Sequence, residues 1–186
     1  MGNLTFDSDS HAYKFNGVSV PSVSRILVDG GFVNLQWFTE AGRERGTSVH
    51  KAIEQHCIGA HCAKDETAEP YLSAFMHFQS DCVWEPIAIE HRMGCPLYAG
   101  TADQIGALNG ALSVLDVKTG AISAATGLQL AAYERLYGSK TPMKRIALQV
   151  TSEGKYKLTE YKDRTDRYVW DSAVAIWHWK KNNGIK

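Results

Sequence analysis

The sequence predicts an α/β (α+β) fold, a mixed central β-sheet flanked by helices, from the order of two periodicities. Apolar residues recur with a helical period over residues 34–80, and from Val83 the period changes to two, which is typical of strands. Three strands, a helix, a hairpin and a terminal helix then follow. This succession favours a sheet that helices cover.

The length and composition suit one domain. The chain has 186 residues, of which 44% are hydrophobic, and this is enough for one core. We expect a single domain over residues 1–186, with a β-meander and helical region at 1–82, a sheet and helix at 83–161, and a C-terminal helix at 162–186. No stretch approaches the roughly 20 apolar residues of a bilayer span, and the N-terminus lacks signal-peptide features. We therefore expect a cytoplasmic protein with no membrane partner.

The charge of the chain is balanced but unevenly distributed. The net charge is +0, so charge alone does not indicate a nucleic-acid partner. Residues 1–143 hold 10 basic and 15 acidic side chains, whereas residues 144–186 hold 10 and 5. Such an uneven distribution of charge suits a protein that binds cations with one part of the chain and phosphates with another. Ordinary solvated faces explain the same counts equally well.

The first elements are short and follow turn signals. The stretch LTFDSDSHAYKFNGVSV alternates around two turn clusters, DSDS and Asn16-Gly17, and predicts a small β-meander. Pro21 then starts a short helix, PSVSRILV, which Gly30-Gly31 closes.

Helices and strands fill the rest of the chain. Thr47 or Ser48 is the expected N-cap of the second of three helices. Asn109-Gly110, the strongest short hairpin signal, joins the last two strands of a meander. Gly138 ends the next helix, and a hairpin turns at Glu153-Gly154. The predicted elements are the helices LQWFTEAGRERG, TSVHKAIEQHCIGA and PYLSAFMHFQSD, the strands WEPIAIEHRM, YAGTADQIGAL and ALSVLDVKTG, the helix ATGLQLAAYERLYG, the hairpin RIALQVTSEGKYKLTEY and the helix DRYVWDSAVAIWHWKK.

Two acidic residues are predicted to face each other across the Asn109-Gly110 hairpin. If these two residues form the loop, counting back along both strands places Asp103 opposite Asp116. Directly opposed Cβ atoms lie about 4.5–5.5 Å apart, where like charges are destabilising. The pair therefore either shares a proton or holds a divalent cation, unless a bulge near Gly106 shifts the register.

Other polar residues share faces with this pair or with each other. Lys118 lies two residues beyond the second aspartate on the same strand face, roughly 7 Å away. A surface salt bridge explains this spacing, but a cation beside an ammonium also makes a phosphate site. Gln129 and Tyr133, and likewise His50 and Glu54, are spaced i,i+4 and share a helix face. Each of these pairs is also typical of capping, packing or a satisfied histidine.

The four cysteines do not indicate a disulfide framework. They are irregularly spaced in a chain without an export signal, which favours reduced thiols. The stretch HCIGAHC, residues 56–62, offers a weaker alternative function as a zinc site. Its ligands are five apart and are not paired as in a CxxC knuckle.

Six residues in four short motifs resemble the RecB-like branch of the PD-(D/E)XK nuclease superfamily. They follow its order and approximate spacing, and PSVSRIL, YLSAFMHF and IAIEHRM also look like a phage or prophage nuclease of this type. The resemblance implies a restriction-endonuclease-like core with an N-terminal helical region. The motifs are His50 in RGTSVH, Asp103 in GTAD, Asp116 and Lys118 in LDVKTG, and Gln129 and Tyr133 in GLQLAAY.

The resemblance also implies a role for each of these residues. Lys118 would position or activate the hydrolytic water, and Gln129 and Tyr133 would hold the substrate phosphate or steady the lysine. Mg²⁺ or Mn²⁺ is the implied cofactor, and no iron–sulfur cluster is expected because no cysteine follows Cys95. The implied metal ligands are Asp103, Asp116, the main-chain carbonyl of Val117 and His50, with Glu90 a weaker candidate and Glu54 weaker still.

The implied function is a metal-dependent deoxyribonuclease, a phage exonuclease of DNA recombination, replication or repair that uses a metal-activated water. The alternative is a catalytically silent nuclease-fold module that binds DNA or protein. DNA, as single strands or duplex ends, is the implied partner, and a homo-oligomer or a phage or host recombination partner is left open.

Trp177 and Trp179 cannot share a helix face, so one is expected to be exposed as a partner contact. The expected DNA contacts are Arg43, Arg45, Lys155, Lys157 and Arg164, with Arg145, Lys162, Arg167, Tyr156, Tyr161 and Tyr168 nearby in sequence.

Overall fold

The protein folds into five helices and eight strands over the residues that the structure describes. The structure is a computed structural model, and it describes residues 2–34, 36, 39–60 and 65–185. The helices are α1 (Val23–Asp29), α2 (Glu40–Cys57), α3 (Glu69–Asp81), α4 (Ala124–Tyr137) and α5 (Thr165–Asn182). The strands are β1 (Leu4–Asp7), β2 (Ala12–Phe15), β3 (Val18–Val20), β4 (Trp84–Gly94), β5 (Ala99–Leu108), β6 (Ala111–Lys118), β7 (Lys144–Val150) and β8 (Tyr156–Glu160).

The strands form a small sheet and a larger one. β1, β2 and β3 make a three-stranded antiparallel sheet, which is the predicted meander. The larger sheet has the order β4-β5-β6-β7-β8, and its neighbours are antiparallel except for β6 and β7. These two strands are parallel because the chain returns through α4 between them. The predicted mixed sheet flanked by helices is confirmed.

Apolar cores lie on both faces of the larger sheet. On one face, Val114 of β6 belongs to a core with Leu130 of α4 and Trp170 of α5. On the other face, the next residue, Leu115, packs in a core with Phe75 of α3. Burial on both faces explains why β6 is a near-continuous apolar run. A charged side chain in this strand is therefore costly unless it is paired.

The predicted break before Thr47 is wrong, because α2 continues through it. The N-cap is Thr39 and not Thr47 or Ser48, since the Thr39 hydroxyl accepts a hydrogen bond from the backbone of Gly42. Gly46 lies inside the helix, where glycine costs about 1 kcal/mol relative to alanine. Packing of the apolar face of α2 against the core outweighs this preference. The residues of the first predicted helix that lie outside the described part are Leu35, Trp37 and Phe38.

The ends of the other helices follow local signals, with one shift. α1 begins at Val23 behind the N-cap Ser22, so the predicted start at Pro21 is two residues early. α4 ends as predicted at Gly138, which adopts the left-handed conformation with φ +63°. Over the described residues, none of the helices combines the length and the apolar character that crossing a bilayer requires.

The register of the central hairpin is as predicted. β5 and β6 pair with this register up to Gln104 and Leu115. The bulge considered near Gly106 lies instead between β4 and β5, at residues 86–88. Asp103 directly precedes Gln104, the paired residue of β5 that lies farthest from the turn, so its side chain lies where the two strands begin to separate.

Candidate active site

Three side chains from different elements converge where β5 and β6 separate. His50 of α2, Glu90 of β4 and Asp103 of β5 each offer a ligand atom, and these atoms lie within 4.8 Å of one another. Imidazole and carboxylate donors at such separations suit a divalent cation. His50 and Asp103 are predicted ligands, and Glu90 is the predicted weaker one. Glu54 is not a member of this group.

Asp103 connects this group to the neighbouring strand. Its Oδ1 lies 3.5 Å from Nδ1 of His50, and its Oδ2 accepts a hydrogen bond of 2.6 Å from the backbone N–H of Val117. Burial raises the pKa of this carboxyl, but the charges of His50 and Lys118 and the hydrogen bonds lower it by more. Asp103 is therefore ionised, and its charge raises the pKa of His50 to about 9.

Glu90 has a backbone conformation that is rare within a strand. Its φ is +46°, whereas His11, Asn16 and Asn109, which also have positive φ, lie in turns. The left-handed region costs a residue with a Cβ roughly 1–2 kcal/mol. Burial raises the pKa of Glu90 to about 7, and the charge of Asp103 adds to this effect. A strained carboxylate beside two other candidate ligands is typical of a functional site.

Glycine at position 90 is expected to give a more stable protein than alanine. Because glycine adopts positive φ without steric cost, Glu90→Gly should exceed Glu90→Ala in free energy of unfolding by about 1 kcal/mol, measured by chemical denaturation. Glu85, an exposed residue of the same strand, is the matched control. Its φ is not positive, so the alanine variant should be the more stable there. If Glu90→Gly and Glu90→Ala had equal free energies of unfolding, the backbone at position 90 would not be strained.

A second group of side chains forms a polar chain from β6 to α4. Nζ of Lys118 lies 2.6 Å from Oδ2 of Asp116 and donates a hydrogen bond of 3.1 Å to Oε1 of Gln129. Nε2 of Gln129 in turn donates to the hydroxyl of Tyr133 at 3.1 Å. The i,i+4 pair on α4 therefore faces the strand and holds the lysine beside the aspartate.

Asp116 is placed differently from the predicted pair of aspartate ligands. It is not a member of the three-residue ligand group, because its carboxylate is drawn towards Lys118 on its own strand. Burial raises the pKa of Asp116, and the Lys118 ammonium only partly offsets this. Although Oδ2 lies within ion-pair distance of Lys118, it accepts no hydrogen bond from any described group. The ammonium therefore compensates the charge of this oxygen without a well-aligned hydrogen bond, and a bound cation would compensate it further.

Lys118 is held in its charged form by the surrounding carboxylates. Burial lowers the pKa of Lys118, but Asp116 and Asp103 raise it by more, so the pKa lies above its usual value. A protonated lysine donates hydrogen bonds and has no lone pair with which to accept a proton. The charges around Lys118 therefore favour an orienting or charge-stabilising lysine over a lysine that acts as a base.

The affinity of the protein for Mn²⁺ is expected to rise with pH. With pKa values of about 9 for His50 and about 7 for Glu90, both groups hold a proton at pH 6 and must release it to bind a metal. The dissociation constant should therefore fall at least about tenfold between pH 6 and pH 8. Isothermal titration calorimetry in buffers of different ionisation enthalpy measures both the constant and the protons released. An affinity for Mn²⁺ that does not change with pH would contradict the assignment of His50 and Glu90 as metal ligands.

Gln149 of β7 is a neighbour of the site that sequence reasoning misses. It pairs with Lys118 on one side and with Lys157 of β8 on the other, so the three residues form a row across the sheet. Its Nε2 donates to the carbonyl of Gly120 and so holds the loop after β6. No local signal marks Gln149, because the pairing of β6 with β7 depends on how α4 crosses the sheet.

The three tyrosines expected near DNA have different environments. Tyr168 is 71% exposed. Tyr156 donates its hydroxyl hydrogen bond to Asp81 of α3. The hydroxyl of Tyr161 donates to the carbonyl of Ser123 at 2.7 Å, just before α4. Tyr161 is therefore placed to hold the start of the helix that carries Gln129, and its half-buried ring is a poor stacking platform.

The expected basic contacts are only partly at the surface. The prediction that Arg145 is a surface contact is wrong. This residue is buried, and its guanidinium donates to Asp166 and to two main-chain carbonyls. A cation in a strand between two cores needs such partners. Arg167 is bound to Glu134 of α4. The remaining expected contacts are exposed at Arg43, Lys155, Lys157, Lys162 and Arg164 and half-buried at Arg45.

The alternative zinc motif has two members that are engaged elsewhere. Nε2 of His56 lies 2.8 Å from Oε1 of Gln79 of α3. The thiol of Cys57 accepts a hydrogen bond from the buried amide of Gln104. The other two members, His61 and Cys62, lie outside the described residues.

Comparison with known proteins gives similarity at the level of structure. No protein-family model matches the chain, and no curated protein sequence does. The chain is similar to the alkaline exonuclease LHK-Exo from Laribacter hongkongensis, at 10% identity over 89% of both chains with a TM-score of 0.45. The same exonuclease in complex with dAMP gives 8% identity over 89% of this chain and 93% of that one, with a TM-score of 0.45. The structure of SSO0001 gives 14% identity over 83% and 84%, with a TM-score of 0.33. Since a fold does not specify a function, the chemistry of the site carries the functional argument.

Proposed function

We propose that this protein is a divalent-metal-dependent nuclease of the RecB-like branch of the PD-(D/E)XK superfamily, which hydrolyses phosphodiester bonds of DNA. The observation that carries the proposal is the ligand group of His50, Glu90 and Asp103 beside the buried ion pair of Asp116 and Lys118. A phosphodiester carries negative charge that grows during hydrolysis. A cation on one side and a fixed ammonium on the other match that requirement.

The proposed metal ligands come from four elements. They are His50, Glu90 and Asp103, with Asp116 and the main-chain carbonyl of Val117 completing the set. A bound Mg²⁺ or Mn²⁺ supplies charge neutralisation at the phosphate and lowers the pKa of a water molecule. An imidazole among the ligands suits Mn²⁺ at least as well as Mg²⁺.

Lys118 orients the reactants in this proposal. Its ammonium lies against Asp116 and donates to Gln129, which leaves a further N–H for a phosphate oxygen or for the attacking water. Burial raises the pKa of Tyr133 well above its usual value, so its hydroxyl stays neutral and accepts the hydrogen bond of Gln129. Gln129 and Tyr133 therefore position the lysine and exchange no protons themselves.

DNA is proposed to reach the site along the row that Lys118 shares with Gln149 and Lys157. The row lies across three strands, and its outer lysine is exposed. Exonuclease action on single strands or duplex ends, in phage recombination, replication or repair, is the finer form of the proposal. The other proposed phosphate contacts are Arg43, Arg45, Lys155 and Arg164.

A cleavage assay on linear, nicked, circular and single-stranded DNA tests the proposal. Each DNA is incubated with wild-type protein in Mg²⁺, Mn²⁺ or EDTA, and Lys118→Ala, purified in parallel, reports contaminating nucleases. Cleavage by the wild type that is absent in EDTA and in the variant supports a nuclease, and resistance of circular DNA supports an exonuclease. DNA binding without cleavage in either metal would indicate the catalytically silent module. Equal cleavage in EDTA would exclude the metal role.

A further inference from the structure

An uncharged face runs along the outside of α5. Tyr168, Ser172, Ala175, Ile176 and Trp179 share this face by helical spacing, and all five are exposed; we name it the α5 stripe. The exposed fractions of Tyr168, Ile176 and Trp179 are 71%, 57% and 60%. Large apolar side chains exposed together on one face are typical of an interaction surface.

The polar groups next to the α5 stripe are already satisfied within the chain. The hydroxyl of Ser172 donates to the carbonyl of Tyr168 at 2.8 Å, so it needs no outside partner. Three charged residues of α5 pair with α4 and β7 and not with groups outside the protein. The stripe itself can therefore be covered without burying an unpaired charge, whereas the groove beside it also carries Lys180 and Lys181. These pairs are Asp166 with Arg145, Arg167 with Glu134, and Asp171 with Arg135.

An apolar groove borders the stripe and enlarges the surface. The groove has a volume of about 990 Å³ and lies between α5 and the end of α1. Phe32, Val169, Ile176 and Ile185 contribute to its lining. A stable interface buries roughly 800 Å² per partner, which is more than one helix face offers. The groove supplies apolar area beyond the helix itself.

Four of the five residues of the α5 stripe are symmetric about its midpoint, whereas the fifth, Ile176, mirrors Asp171. Tyr168 and Trp179 are equally far from this midpoint, and so are Ser172 and Ala175. When a second copy of the helix runs antiparallel, each aromatic end meets the other aromatic end. The small central residues also meet each other, which lets two helices approach closely. Self-complementarity of this kind is the requirement for an interface with two-fold symmetry.

We propose that two copies of this protein form a homodimer by packing their α5 stripes antiparallel across a two-fold axis. Tyr168 of one copy then packs on Trp179 of the second copy. A second copy fits the stripe better than single-stranded DNA, because none of its five residues is a cation that could meet phosphates; Lys180 and Lys181 line only the groove beside it. This interface does not depend on the proposed nuclease function. Trp179 is then the exposed tryptophan that the sequence predicts, since Trp177 is half-buried and donates to Asp29.

Sedimentation velocity from about 1 to 100 µM tests for the dimer. The wild type is expected to show a monomer–dimer equilibrium, and Ile176→Glu should raise the dissociation constant at least about tenfold. Ile87→Glu, which changes an isoleucine that is 61% exposed on β4, is the matched control and should dimerise like the wild type. Trp179→Ser replaces Ile176→Glu if circular dichroism shows that the latter is unfolded. A wild type that stays monomeric would overturn the proposal. So would an Ile87→Glu control whose dissociation constant rises as much as that of Ile176→Glu.

Disulfide cross-linking tests the antiparallel arrangement. Residues 168 and 179 lie about 16 Å apart along one helix, so identical positions in an antiparallel dimer cannot reach each other. A mixture of Tyr168→Cys and Trp179→Cys proteins is expected to form a covalent dimer on oxidation, whereas neither variant is expected to do so alone. Wild-type protein oxidised in the same way measures any cross-linking through the native cysteines. Cross-linking of Tyr168→Cys with itself would indicate parallel packing and overturn the proposal. Loss of single-stranded DNA binding in Ile176→Glu, with a monomeric wild type, would assign the stripe to nucleic acid instead.

Discussion

Replacing Lys118 with methionine is expected to reduce the rate of DNA cleavage at least about a hundredfold, while the protein still folds and binds Mn²⁺. Methionine keeps the length of the side chain and removes the ammonium that lies 2.6 Å from Asp116 and donates to Gln129. The phosphate and the water then lose their donor on this side. Burial already raises the pKa of Asp116, so without the lysine this carboxyl takes up a proton more readily.

Single-turnover rates at saturating metal and DNA measure this effect separately from binding. Lys144→Met is the matched control, because Lys144 is an exposed lysine at the start of β7, whereas Lys118 pairs near the other end of that strand. The control should cleave like the wild type. A Lys118→Met rate within about tenfold of the wild type would remove the lysine from the mechanism. Loss of DNA binding alone would make it a binding residue.

Asp103→Asn is expected to impair metal binding and cleavage together. The asparagine amide has one oxygen and no charge, so it cannot both accept the hydrogen bond from Val117 and serve as an anionic ligand beside His50. The dissociation constant for Mn²⁺ should rise at least about tenfold, and cleavage should fall at least about a hundredfold. Calorimetry and the DNA assay measure the two effects.

The same substitution should change the ionisation of His50 in the metal-free protein. The charge of Asp103 is the largest cause of the raised pKa of His50, and burial acts in the opposite direction. In Asp103→Asn the pKa should therefore fall from about 9 towards the ordinary value of 6.5, as an NMR titration of the imidazole would show. Asp81→Asn, which removes a carboxylate that binds Tyr156, is the control and should leave it unchanged. A His50 pKa that is insensitive to Asp103→Asn would contradict their contact.

The central hairpin explains why much of the candidate site could be predicted. Asn109-Gly110 sets the register over a few residues, and this local signal places Asp103 and Asp116 each one residue beyond the last observed pair, Gln104 and Leu115. The i,i+4 spacing predicts that Gln129 and Tyr133 share a helix face, and the hydrogen bond between them shows that they do, whereas their proposed role in the site comes from the resemblance. These predictions hold because turn residues and helical spacing act within a short stretch of chain.

Other features of the site depend on contacts that spacing does not encode. Glu90 joins His50 and Asp103 because the pairing of β4 with β5 beyond the bulge places this strained residue between the pairs Ile89–Gln104 and His91–Ala102, and so opposite Asp103. Arg145 looks like a surface cation in the sequence, yet β7 lies inside the sheet and Asp166 reaches it from α5. Whether such a side chain is buried is decided by the neighbouring strands and helices.

The sequence by itself determined the mixed sheet, the order of the elements apart from the continuity of α2 through Gly46, and the polar residues near the end of the central hairpin. Hydrophobic period, turn residues and caps suffice for these, since each acts between residues near in the chain. Three features come from the tertiary structure alone: Glu90 lies together with His50 and Asp103 while Asp116 turns towards Lys118, neighbouring carboxylates raise the pKa of Lys118 against the effect of burial, and α5 leaves an apolar face exposed. Each depends on the distance, charge or burial of groups far apart in the chain, and these quantities exist only once the helices have packed on the sheet.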